Sequence, residues 1–275
     1  MGTARLAEQA SDPVVVANRG GRSSYVLICD HASNTLPAAF GTLGLTAEDL
    51  RRHIAWDPGA APVARYMAEI LGATLIESQV SRLVIDCNRP LDAPDLVPAV
   101  SETTAIPGNR DLSEAERARR IALAYDPFHA AIEDVVSERL AAGRETRLVS
   151  IHSFTPVYKD VARPWHVGII HDDDRRLAAP VIAALRSLEG VTVGVNEPYS
   201  PADRVYFTLE RHARSRGLPC AMVEIRNDEI PAEAGQRKWA GLLAGIFADF
   251  GPGAAWGGNG TEGNKAPAKP ATMRG

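Results

Sequence analysis

The sequence predicts an α/β layered domain on two observations: short β-branched runs alternate with amphipathic helical stretches, and polar clusters stand where the apolar runs end. Composition agrees. Of 275 residues, 45% are hydrophobic, and 30 Lys+Arg against 34 Asp+Glu give a net charge of −4, which suits a soluble globular chain and excludes fibrous, disordered and membrane classes. No clustered basic stripe offers itself to phosphates, so nucleic acid is not an expected partner. No apolar run reaches the roughly 18 residues a bilayer span needs, and no membrane association is expected. The first twenty residues lack the apolar core of a secretory signal, making the cytoplasm the expected location. Cys29, Cys87 and Cys220 lie in or beside apolar runs without Cys-x-x-Cys spacing and read as buried reduced thiols.

In chain order, residues 13–17 and 24–29 read as strands around the turn Asn18-Arg19-Gly20-Gly21, whose glycines suit the positive φ of a tight hairpin. Apolar residues at helical spacing from Pro58 to Leu71 predict a helix with Asp57 as N-cap, Pro58 in its first turn and Gly72 as its stop. Residues 73–78 and 82–87 are β-like. Residues 88–112, rich in Pro, Asp, Asn and Thr, predict a long ordered loop, and loops of that length inside a domain are usually functional. Ser113-x-x-Glu116 is a capping box opening a helical stretch to about Ala142, which Pro127 divides or kinks. Strands at 147–151, 165–170, 191–195 and 220–225 alternate with helices at 175–188, 203–216 and 232–250. The expectation is one domain over residues 1–250, followed by a disordered Gly/Pro-rich tail over 251–275 that is too poor in apolar residues to offset its ordering entropy.

Four polar clusters carry the chemistry: Asp30-His31, Asp86-Cys87-Asn88-Arg89, His152-Ser153 and Glu224. In open α/β sheets the carboxyl ends of strands are where ligand sites gather, so these clusters are expected to meet in one pocket. His31 and His152 with one carboxylate would form the two-imidazole, one-carboxylate set of a catalytic zinc with an open position. Asp57 is the preferred third ligand and Asp30 its rival. Glu224, among apolar neighbours, is suited to act as a general base, while Arg82, Asn88 and Arg89 offer donors that match a substrate carboxylate. The run Asp172-Asp173-Asp174 reads as helix capping, and no Gly-x-Ser-x-Gly, Gly-x-Gly-x-x-Gly or Walker sequence occurs.

Taken in order, CDHASNTLP, AWDPG, VSRLVIDCNRP, YDPFHAAI, SIHSF, TLERHA and MVEIRND, between about Val26 and Ile230, resemble the N-formylglutamate amidohydrolase family, relatives of the zinc carboxypeptidases and aspartoacylases. The resemblance implies a phosphorylase/hydrolase-like three-layer α/β/α domain with a mixed central sheet. It also implies a metal-dependent, zinc-containing amidohydrolase cleaving the C–N bond of a small N-formyl or short N-acyl amino acid. His31 and His152 match its metal-site histidines, Asp57 matches the acidic residue of the AWDPG segment and is the preferred third ligand, and Glu224 matches its base-like glutamate. Asp-x-Asn-Arg at 86–89 matches a carboxylate-binding pattern, and Arg82 would line the pocket and polarise the scissile carbonyl. His129, Arg211 and His212 match family positions, and Arg211 and His212 are grouped with the substrate-binding residues. The chain has His31-Ala32-Ser33 where the histidine-pathway enzymes tend to have His-Ser-Gly, and Arg163-Pro164-Trp165-His166 marks a distinct branch. The alternatives are a carboxypeptidase-like zinc peptidase and a non-catalytic carboxylate-binding protein on the same fold.

Overall fold

The computed structural model describes residues 12–250, so the tail expected at 251–275 lies outside the described residues. Its strands are β1 (Val14–Ala17), β2 (Tyr25–Cys29), β3 (Thr74–Ser78), β4 (Val100–Ser101), β5 (Thr104–Ala105), β6 (Arg147–Phe154), β7 (Val157–Tyr158), β8 (Val161–Ala162), β9 (Val167–Ile170), β10 (Val193–Val195) and β11 (Cys220–Arg226). The α-helices are α1 (Ala60–Leu71), α2 (Glu114–Arg120), α3 (Asp126–Ala141), α4 (Ala178–Arg186), α5 (Phe207–His212) and α6 (Glu233–Asp249).

Seven strands form one mixed sheet in the order β1-β3-β2-β6-β11-β9-β10, with β1 antiparallel to β3 and β9 antiparallel to β11. Strand side chains alternate between faces, which sorts the core into two layers. Leu27, Val149, Ile151 and Val223 pack against α1, α4 and α6, while Val26, Ile28, Leu148 and Met222 pack against α3 and α5. The result is the expected three-layer α/β/α arrangement. All three cysteines are buried and free.

Several local expectations are corrected. The first two strands make no hairpin, because β1 pairs with β3 while β2 lies between β3 and β6. In the 18–21 turn it is Asn18, not a glycine, that takes the positive φ, and Gly21 is needed because a Cβ there would stand 2.7 Å from the Gly72 carbonyl oxygen. Residues 82–87 form no strand. Leu83, Val84 and Ile85 are all buried, in two small clusters formed with the surrounding loops and the helical turn Ile121–Tyr125 rather than with a neighbouring strand. Their backbone is satisfied by side chains instead, Asn109 Nδ2 donating to the Leu83 carbonyl at 2.8 Å and Arg120 to that of Val84 at 3.1 Å.

The helix after Asp57 starts later than expected, at Ala60, with Gly59 in the left-handed region as its cap, which releases the Asp57 carboxylate from capping. Gly72 ends it as expected. Ser113 accepts from the Glu116 amide at 3.2 Å, but the Glu116 carboxylate turns to Arg119 and Arg120, so only half of the capping box is made. A π-helical turn over Ile121–Tyr125 joins α2 to α3, accommodating the Pro127 ring without a full break. The helix expected over 203–216 shortens to α5 between two 3-10 turns.

Candidate metal centre and active site

Parallel pairing of β6 with β11 places His152 and Glu224 opposite each other in register, on the sheet face that also carries Leu148 and Met222. His31 follows the end of β2, the other neighbour of β6, and Asp57 stands in the loop before α1, where its amide donates to the His31 carbonyl at 3.0 Å. One ligand atom from each of His31, Asp57 and His152 lies within 4.8 Å of the others, and all three residues are buried.

The two imidazoles are used alike. Each turns Nδ1 toward Asp57 Oδ2, at 3.4 Å for His31 and 2.7 Å for His152. Each gives Nε2 to an outer carboxylate, His31 to Asp86 Oδ1 at 2.8 Å and His152 to Asp30 Oδ2 at 3.1 Å. A proton held on Nε2 leaves the lone pair on Nδ1, the arrangement that orients histidine ligands in metal sites, and at His31 Arg82 Nη1 also stands 3.3 Å from that nitrogen. Asp30, the rival third ligand, is thereby occupied behind His152, where Ser150 also donates to it at 2.7 Å and Thr208 caps its other oxygen.

Electrostatics bear on what the three residues can hold. Burial opposes charge on Asp57, Asp86 and Asp30, yet neighbouring cations overcome it. Asp57 and Asp86 are held well below the usual carboxylate range by the imidazoles and Arg82, and Asp30 is held at about 2 by His152 and His31. Burial likewise opposes charge on the imidazoles, but the same carboxylates raise both, His152 strongly. Three carboxylates therefore face Arg82 and two imidazoles that favour the charged form. Exchanging those two protons for one divalent cation on neutral imidazoles leaves the charge balanced, so the donor set fits such an ion. Arg82 is anchored to Asp86 at 2.6 Å and lies 3.6 Å from Asp57.

Glu224 differs from the aspartates. Burial raises its pKa to about 7, the charge on Asp57 adds to the rise, and its Oε2 has no hydrogen-bond partner. A carboxyl group so poised can exchange a proton near neutral pH. These side chains open on a cavity of about 350 Å³ that Arg89, Lys159 and Tyr199 also line, together with residues of the 88–112 loop and its β4–β5 hairpin.

Other expected site residues lie elsewhere. Asn88 does not line the cavity: its amide donates to the Val205 carbonyl and accepts from the Thr208 amide at 3.0 Å, tying down the start of α5. Arg89 lines the rim but is paired with Asp95 at 2.8 Å. Arg211 is exposed, its guanidinium 5.9 Å from the Tyr125 ring, and His212 is buried against α3, 2.9 Å from His129. Neither lines the cavity. Sequence reasoning passed over Tyr199, whose signal is only its place between Pro198 and Pro201, and Lys159 at the tip of the β7–β8 hairpin.

A family model described as N-formylglutamate amidohydrolase matches residues 23–230. Among solved structures, the gene product Atu2144 from Agrobacterium tumefaciens is 46% identical with a TM-score of 0.85, over 87% of this chain and 94% of that one. The N-formylglutamate amidohydrolase from Ralstonia eutropha JMP134 is 21% identical with a TM-score of 0.64, over 87% of this chain and 97% of its own, a likeness of fold. No curated protein gives a significant match. Among the described residues, no helix is long and apolar enough to cross a membrane.

Proposed function

This chain belongs to the N-formylglutamate amidohydrolase family, a family of hydrolases of linear amide bonds, and we propose that it removes the formyl or another short acyl group from an N-acyl amino acid with the help of zinc. The observation that supports this reading best is the buried His31, Asp57 and His152 group with the unpartnered Glu224 carboxyl beside it. His31, Asp57 and His152 would hold the ion. When bound, it would supply Lewis-acid polarisation of the scissile carbonyl and acidify a water molecule.

Glu224, ionised, takes a proton from the attacking water and returns it to the leaving amine nitrogen, so water and amide become a short carboxylic acid and a free amino acid. Arg82, held by Asp86 and with Nη1 3.3 Å from His31 Nδ1, lines the cavity and would turn its guanidinium toward the scissile carbonyl. Arg89 at the rim would meet the carboxylate of the amino acid, since a guanidinium matches both of its oxygens. Asn88 acts by positioning α5, and Arg211 and His212 are left without contact to substrate in this reading.

The test is turnover of a panel of N-formyl, N-acetyl and N-succinyl amino acids and of dipeptides by zinc-loaded protein, with Glu224→Gln alongside. Cleavage of acyl amino acids but not of dipeptides, with Glu224→Gln keeping its zinc and losing turnover by on the order of 10³-fold, is the expected result. In the wild type kcat/KM rises with pH as Glu224 gives up its proton. Dipeptide cleavage alone would install the peptidase instead, and ligand binding without any turnover would leave a binding protein.

A further inference from the structure

The segment between β10 and α5 brings a tyrosine to the cavity that holds the base, and glycines in the sheet explain how. Glu224 on β11 lies opposite Gly168 on β9, and a Cβ on Gly168 would stand 2.1 Å from the Glu197 carbonyl oxygen. A Cβ on Gly194 of β10 would stand 2.7 Å from the same oxygen. Bare backbone at these two positions lets residues 196–199 lie directly on the sheet. Asn196 fastens them there, its amide donating to the Ile169 carbonyl at 3.0 Å and its side-chain oxygen accepting from the His171 amide at 2.9 Å.

Tyr199 consequently lines the cavity beside Glu224 and Arg82. Its ring is gripped by Arg163, whose guanidinium stands 4.9 Å from the Tyr199 centroid and 4.6 Å from that of Tyr158, and whose Nη1 donates to the Tyr199 hydroxyl at 3.1 Å. Stacking and a hydrogen bond from one side chain fix both the plane and the oxygen of the phenol. An oxygen that accepts from Arg163 keeps its own O–H for another partner. Burial and the charge of Glu224 both disfavour loss of that proton, so the group stays a donor.

We propose that Tyr199 is a further catalytic residue, its phenolic O–H donating a hydrogen bond to the scissile carbonyl oxygen as that oxygen gains negative charge, with Arg163 as the positioning residue that aims it. No proton changes hands in this contact. The inference rests on the amidohydrolase reading above, because a donor lining the same cavity as the base can meet the atoms whose charge changes during attack on the carbonyl. A fixed donor costs no reorganisation at the moment of reaction, which is why one such hydrogen bond weighs heavily in the rate.

The experiment compares zinc-loaded wild type, Tyr199→Phe, Arg163→Met and Arg163→Lys on the best substrate of the panel. Tyr199→Phe lowers kcat by on the order of 10²-fold with KM within about threefold and zinc content unchanged. Arg163→Met lowers kcat by about tenfold, and Arg163→Lys, which keeps a donor, recovers part of the loss. Calorimetric titration with an N-phosphoryl amino acid, a tetrahedral mimic, shows at least about a tenfold weaker fit to Tyr199→Phe, while affinity for the free amino acid product is unchanged. A kcat within twofold of wild type, or a loss confined to KM, overturns the inference and leaves the amidohydrolase reading standing. A wild type that cleaves nothing in the panel overturns both.

Discussion

Two buried histidine pairs stand on the same side of this molecule with nearly the same ring separation, 5.0 Å between His31 and His152 and 5.1 Å between His129 and His212, and they behave oppositely. Both pairs are withdrawn from water, which by itself disfavours the imidazolium. In the first pair every ring nitrogen has a carboxylate within hydrogen-bonding reach, and the pKa of each ring rises. In the second, His129 donates to the Cys87 carbonyl at 3.0 Å and accepts from His212, while His212 Nδ1 is left 3.7 Å from a Glu133 carboxylate already engaged by Arg216. Burial then prevails, lowering His129 to about 3 and His212 to about 4, with Arg211 adding to both. Partner chemistry, not depth, separates a site that can exchange protons for a cation from a neutral strut between α3 and the 86–88 turn.

The contrast is sharpest in the rings themselves. His152→Ala should abolish stoichiometric zinc, measured by elemental mass spectrometry, and reduce turnover by on the order of 10³-fold. His129→Gln, which preserves an amide donor toward Cys87, should keep its zinc and lose stability alone, read as a lower Tm. Zinc lost equally from both variants would erase the distinction drawn here.

A smaller effect is expected one shell out. Asp30→Asn and Asp86→Asn remove the charge behind each Nε2 while preserving shape, and each should weaken zinc affinity about 10- to 100-fold in a competition titration with a chromogenic chelator. Unchanged affinity in both would mean that these carboxylates serve packing and not the imidazoles.

The smallest effect is a slope. Because His129 and His212 have lowered pKa values when folded, their contribution to stability is present above the ordinary histidine pKa of about 6.5 and is lost as pH falls toward 4 and then 3. Each proton taken up on unfolding costs about 1.4 kcal/mol per pH unit in that window. Urea unfolding of His212→Gln between pH 6.5 and 4 should therefore show a shallower pH dependence than the wild type, whereas equal slopes would assign the acid sensitivity elsewhere.

Much of the site was legible because its residues interrupt strong local patterns. Asp30-His31 follows five apolar or aromatic residues, and His152 and Glu224 sit inside strand patterns where a polar side chain demands a partner. The 88–112 loop was marked by its length and does line the cavity. What misled was chemistry with two possible uses. The Leu83-Val84-Ile85 run has strand composition, yet its neighbours in space are loops and the helical turn Ile121–Tyr125 rather than another strand, and two of its carbonyls are satisfied by Asn109 and Arg120. Asn88 has the amide to hold a carboxylate, but its Nδ2 donates to the Val205 carbonyl and its Oδ1 accepts from the Thr208 amide. Tyr199 carried no periodic signal, since its place depends on glycines about 30 and 5 residues earlier in the chain.

The sequence by itself determined the alternation of strands and helices, the layered fold class and the candidate residues His31, Asp57 and His152 for a metal and Glu224 for a base, because periodicity and residue chemistry are properties of the chain as written. Only the tertiary structure decided which carboxylate faces both Nδ1 atoms, which stand behind the rings, and which tyrosine lines the cavity that holds the base. Those choices turn on strand register and loop-to-sheet contacts between residues far apart in sequence, where a shift of one residue sends a side chain to the opposite face.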